Sequence, residues 1–188
     1  MDFKEKIKKI ALDGGLWEAG FVEIDELKVY PEVRKMCADN VCRAYGTTWA
    51  CPPAVGTIEE CLARCQQYDK MMLFSKKYDL EDSYDFEGMQ EGMADFKKQV
   101  TVFSNGVKEH LKAYFLFGNE GCGNCKSCTY PDAPCRFPEK MHPSLEGYGF
   151  IVSDLAKKAG VHYINGQNTV TYFGAILWKN EDETDACC

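Results

Sequence analysis

Apolar residues along the chain fall into two periods, and the switches between them mark the elements. Residues 3 to 12 place Phe3, Ile7, Ile10 and Ala11 on one helical face, and Gly14-Gly15 end the pattern. "GFVEI" at 20 to 24 alternates apolar and polar positions as a short strand does. From Met36 to Gly56 neither period holds. Gly46, Trp49, Pro52, Pro53 and Gly56 punctuate this stretch as an ordered loop, and so long a loop inside a compact domain usually serves a purpose.

Thr57 then opens "TIEECLARCQQ" with Glu60 three residues on, a capping box that fixes the start of a helix. "KMMLF" and "AYFLF" are short apolar runs suited to buried strands. Between them Met89, Met93, Phe96, Val100, Phe103, Val107 and Leu111 step by three or four, which predicts a long helix. Ser144 is positioned to cap a last helix with an inner face of Tyr148, Ile151, Val152, Leu155 and Ala159, stopped by Gly160. "NTVTYFGAILW" reads as the final strand. The alternation predicts an α/β fold, a layered sheet with flanking helices and two cysteine-rich loops. Residues 1–180 are expected to form one domain, followed by a disordered acidic tail at 181–188; no internal repeat or interdomain linker is seen.

Charge and cysteine usage narrow the function classes. The net charge of −7 argues against nucleic-acid and anionic-membrane partners. No stretch of about eighteen apolar residues occurs, and the N-terminus has no apolar signal core, so a cytoplasmic location is expected. Eleven cysteines, an odd number, in a reducing compartment point to metal rather than to disulfides.

Cys122, Cys125 and Cys128 are spaced by two residues each, and Cys135 follows after six. Such spacing lets successive thiolates curl around one side of a 4Fe-4S cubane, while a chain bent by Pro131 and Pro134 returns a fourth. Gly121 and Gly123 allow the tight turn and offer amide donors. Structural zinc is the alternative, but three cysteines at consecutive two-residue spacing crowd a single tetrahedral ion. Cys37, Cys42 and Cys51 form a second group in the ordered loop, with no obvious fourth ligand. Cys61 and Cys65, one turn apart on the capped helix, either pack as small hydrophobes or reach back to complete it. If they are core, one iron of the second cluster is open to another ligand and acts as a Lewis acid.

Trp49, Pro52 and Pro53 either shield that loop from water or are ordinary loop packing. Arg43, Lys126, Arg136 and Lys140 either balance thiolate charge or hold an anionic ligand, or else stand as ordinary surface cations. His110, His142 and His162 lack metal spacing, although His142 lies near the first group. The terminal pair Cys187-Cys188 is given no site. No phosphate-binding glycine loop, dinucleotide fingerprint or nucleophile–base pair is evident.

The pattern C-x4-C-x3-G-x2-W-x-C-P-P-x2-G at 37 to 56, with G-C-x2-C-x2-C-x6-C-R-x-P-E-x3-P-S at 121 to 144, resembles the prokaryotic domain-of-unknown-function family 2284. The resemblance implies metal binding by Cys37, Cys42, Cys51, Cys122, Cys125, Cys128 and Cys135, and it implies no particular reaction. The leading expectation is a protein with two 4Fe-4S clusters that relays electrons to or from a redox partner protein. Relay requires the two cysteine loops to meet at one end of the sheet. The alternatives are a redox enzyme binding a small molecule at the open iron of the three-cysteine cluster, and a zinc-stabilised interaction domain.

Overall fold

A computed structural model describes residues 2–119 and 121–180. The expected acidic tail and Cys187-Cys188 lie outside the described residues. Chain order is helix α1 (Phe3–Asp13), strand β1 (Glu18–Val22), helix α2 (Pro31–Ala38), helix α3 (Ile58–Cys65), strand β2 (Lys70–Asp79), helix α4 (Phe86–Val107), strand β3 (Tyr114–Phe117), helix α5 (Val152–Ala159) and strand β4 (Thr169–Trp178). The four strands form one antiparallel sheet in the order β1-β2-β4-β3. The mixed α/β class expected from the sequence is the class observed.

Both faces of the sheet are covered, which is why its central strands read as unbroken apolar runs. Met72 and Phe74 of β2, with Ile176 and Trp178 of β4, pack against Phe3 and Ile7 of α1 and Phe96, Val100 and Phe103 of α4. The alternate residues Met71, Leu73, Ala175 and Leu177 point the other way, into a second cluster with Cys61 and Cys65 of α3 and Leu155 and Ala156 of α5. Gly20 in β1 lets α5 press against the sheet, since a Cβ there would lie 1.9 Å from the Ala159 carbonyl oxygen.

Three boundaries differ from the sequence reading. The first strand runs from Glu18 to Val22, two residues earlier than expected. The start of the expected 36–56 loop belongs to α2, a helix with Pro31 at its first position and no buried residue, so it shows no apolar stripe to find. The last helix does not begin at Ser144. Glu146–Tyr148 is a single 3₁₀ turn that ends at Gly149 (φ 88°), a left-handed residue that breaks the helix before α5 starts at Val152. The Ser144 hydroxyl accepts from the Gly147 amide at 3.0 Å, so it caps that turn instead.

Candidate metal centre

The first cysteine loop joins α2 to α3. Cys37 sits in the last turn of α2, and the backbone then doubles back through positive φ at Asn40 (55°) and Arg43 (59°). The Asn40 side-chain oxygen accepts from the Tyr45 amide at 3.0 Å, which suits a left-handed asparagine, and the Gly46 amide donates to the Pro52 carbonyl at 2.8 Å. Cys51 is buried and Cys42 exposed. The capping box on α3 forms as expected, with Thr57 and Glu60 bonding reciprocally, and holds the far end of the loop.

The second cysteine loop leaves the C-terminal end of β3. It is closed at its base by a parallel bridge between Gly118 and Ser144 and by the Gly118 amide donating to the Pro143 carbonyl at 3.0 Å. Positive φ at Gly121 (52°) and Gly123 (68°) turns the chain on either side of Cys122. Asn124 Nδ2 donates to Cys122 Sγ at 3.0 Å. The return to Cys135 is held by Thr129, whose hydroxyl donates to the Pro134 carbonyl at 2.8 Å, and by Arg136, whose Nη1 donates to the Ser127 carbonyl at 2.9 Å. Arg136 thus braces the loop backbone, and Lys140 lies over the Phe137 ring at 5.6 Å.

The two loops meet. Trp49 of the first donates from Nε1 to the Ala133 carbonyl of the second at 3.0 Å and sets its ring edge-to-face with Tyr130, centroids 5.0 Å apart. Two neighbouring cavities result. One, of about 360 Å³, is lined by Cys122, Cys125, Cys128 and Cys135 together with Thr47, Thr48 and Trp49 from the first loop. The other, of about 180 Å³, is lined by Cys37, Cys42 and Cys51, with Gly121 from the second loop and Ser144 and Glu146 closing its remaining wall.

The electrostatics follow the same grouping. Burial pushes the Cys122 thiol up, the Asn124 backbone opposes that shift, and Cys135, Cys125 and Cys128 add to it. Burial likewise raises Cys37 against the opposing Arg34 charge, with Cys42, Glu146 and Cys51 adding to the rise. Cys51 is raised by burial and eased back by the Thr48 hydroxyl, the Gly121 amide and the Lys97 charge. Lys97, on α4, also lies 3.3 Å from where a Cβ on Gly123 would stand. It is a cation set between the two loops that cysteine spacing gives no sign of.

Cys61 and Cys65 line neither cavity. Both are buried in the core, where Cys61 Sγ donates to the Val55 carbonyl at 3.4 Å and accepts from Arg34 Nη2 at 3.5 Å. Burial pushes Cys65 up to about 12. His142 lines a small cleft with Cys122 and Asn119, and burial lowers it to about 4. His162 is exposed and meets Glu18 at 2.7 Å.

Soft thiolates ringing two concavities suit zinc or iron-sulfur centres. Among the described residues, no group of three or more His, Cys, Asp or Glu side chains is arranged to hold a metal ion. The sulfurs line the walls of cavities rather than converging on a point.

A family described as "predicted metal-binding protein (DUF2284)" matches residues 20–178, from β1 through both cysteine loops to the end of β4. The chain belongs to DUF2284. No curated protein and no solved structure matches it. For DUF2284 metal binding, all seven cysteines of the two loops fall within the matched span, as do Cys61 and Cys65. Among the described residues, no helix is long and apolar enough to cross a membrane.

Proposed function

We propose that this DUF2284 protein holds one 4Fe-4S cluster in each cysteine-lined cavity and relays electrons to or from a partner protein. The observation that carries the reading is the pair of adjoining cavities, one ringed by four thiols and the other by three. A single zinc ion binds its thiolates at about 2.3 Å, which draws four sulfurs to about 3.8 Å from one another and leaves no space between them. The four-cysteine cavity, of about 360 Å³ and walled by Thr47, Thr48 and Trp49 as well, leaves room for a larger inorganic core.

A bound 4Fe-4S cluster supplies one-electron oxidation and reduction. The protein's part is to hold and tune it. Gly121 offers its amide toward the Cys51 sulfur and Asn124 its side-chain amide to Cys122, and such donors stabilise the more negative, reduced charge state. Lys97 adds a positive charge at the junction. Trp49 lines the four-thiol cavity and ties the two loops together through its bond to the Ala133 carbonyl, which would hold the two clusters near one another. The acidic surface suits docking on a basic patch of the partner.

A second reading is favoured by the wall of the smaller cavity. Ser144 and Glu146 line it beside only three thiols, so a cluster held there would lack a fourth protein thiolate and would supply an iron able to take a small substrate or anion. Anaerobic EPR with stepwise reduction tests both readings. Relay predicts two reducible cluster signals, with Cys125→Ala removing one and Cys61→Ala neither. The enzyme reading further predicts that an added small thiol or cyanide shifts the signal that survives Cys125→Ala. An iron-free protein, or Cys125→Ala with unchanged iron, overturns the ligand assignment.

A further inference from the structure

A third cavity, of about 530 Å³, lies between α3 and the two cysteine loops, with walls that include Trp49, Val55, Phe115, Pro134 and Met141. Its volume falls within the range of about 300–1,000 Å³ common for small-molecule sites. The cavity contains one cation. Arg64, from α3, is half-buried in its wall, donates to the Val55 carbonyl (3.3 Å) and to the Tyr148 hydroxyl, and lies 5.3 Å over the Tyr148 ring. Among the described residues no carboxylate pairs with this guanidinium. Asp132 also lines the cavity, but at an exposed position where water screens its charge.

From this arrangement we propose that the cavity binds a small organic carboxylate with an apolar, ring-sized body. The apolar walls remove the body from water, and flat Trp49 and Phe115 suit a planar one. Arg64 is held by a carbonyl and a hydroxyl and faces the Cys61 thiol, which burial keeps protonated; all three are neutral, so its charge has been partly desolvated without an anion in return. A carboxylate supplies that anion and matches the guanidinium fork in a way that a neutral amide does not. The site stands whichever metal the thiols hold. It nevertheless adjoins them, because Trp49, Cys135 and Met141 line both this cavity and the four-cysteine one.

The test is calorimetric titration of the anaerobically purified full chain with 2-naphthoate, 3-phenylpropionate and the neutral 2-naphthamide, with the metal content of every sample measured in parallel. One carboxylate should bind per chain, about tenfold or more tighter than the amide, the size of one hydrogen-bonded charge contact. Arg64→Gln should remove that preference. Ala54→Trp, which fills the cavity from its lining and keeps Arg64, should abolish binding of acid and amide alike with metal retained. Equal affinity for acid and amide, unchanged binding in Ala54→Trp, or no binding of either carboxylate at millimolar concentration overturns the proposal. Failure of the metal centre would show separately, as lost metal.

Discussion

If Trp49 clamps the two cysteine loops together, weakening it should loosen the metal in graded steps. Trp49→Phe keeps a ring against Tyr130 and removes the bond from Nε1 to the Ala133 carbonyl. Ala133 is exposed, so water can replace that donor, and the cost is about 1 kcal/mol. Trp49→Ala also deletes the edge-to-face pair, worth about 1 kcal/mol, and roughly 1 kcal/mol of apolar burial for a half-buried ring, for a total of about 3 kcal/mol. If a chelator reaches the metal only when the loops part, each 1.4 kcal/mol or so taken from the closed state speeds release about tenfold. Metal loss to a chromophoric chelator under anaerobic conditions should therefore accelerate about fivefold in Trp49→Phe and about 150-fold in Trp49→Ala. Release rates within twofold of the native protein in Trp49→Ala would refute the clamp.

Two further outcomes follow from the environments of individual side chains. On chelated protein, iodoacetamide followed by mass spectrometry should label exposed Cys42 early and Cys61 and Cys65 last, since burial raises the latter pair and withholds the reactive thiolate; early labelling of Cys65 would remove it from the core. His142 is held neutral by burial, with its value lowered from 6.5 to about 4, so the unfolded chain takes up its proton first. Its contribution is fully present above about pH 6.5 and is lost as pH falls toward 4. Native protein should thus lose more stability than His142→Asn between pH 7 and 4.5, by a difference of order 2 kcal/mol in urea unfolding, and parallel losses would contradict the assignment.

Elements with a one-sided apolar face were legible in the sequence. Phe96, Val100 and Phe103 step along one side of α4 and are buried there, and the unbroken runs of β2 and β4 follow from a sheet covered on both faces. Helix α2 was not legible because it buries nothing. The segment at 144–151 misled for the opposite reason: Tyr148 is buried at a helical spacing from Val152, but Gly149 interrupts the helix between them. Within the site, the cysteine spacings delimited the two groups that line the two cavities. Their surroundings come from distant segments and leave no local pattern. Trp49 crosses to residue 133, Lys97 approaches from the opposite layer, and Ser144 and Glu146 finish the smaller cavity from beyond the second loop.

The most direct measurement of the central claim is a count of iron and acid-labile sulfide per chain, with Mössbauer spectra, on protein purified and kept without oxygen. Two filled cavities predict about eight irons and about eight sulfides per chain, with the spectra of 4Fe-4S cubanes. Colourless protein carrying only zinc, or iron unaccompanied by sulfide, would contradict it.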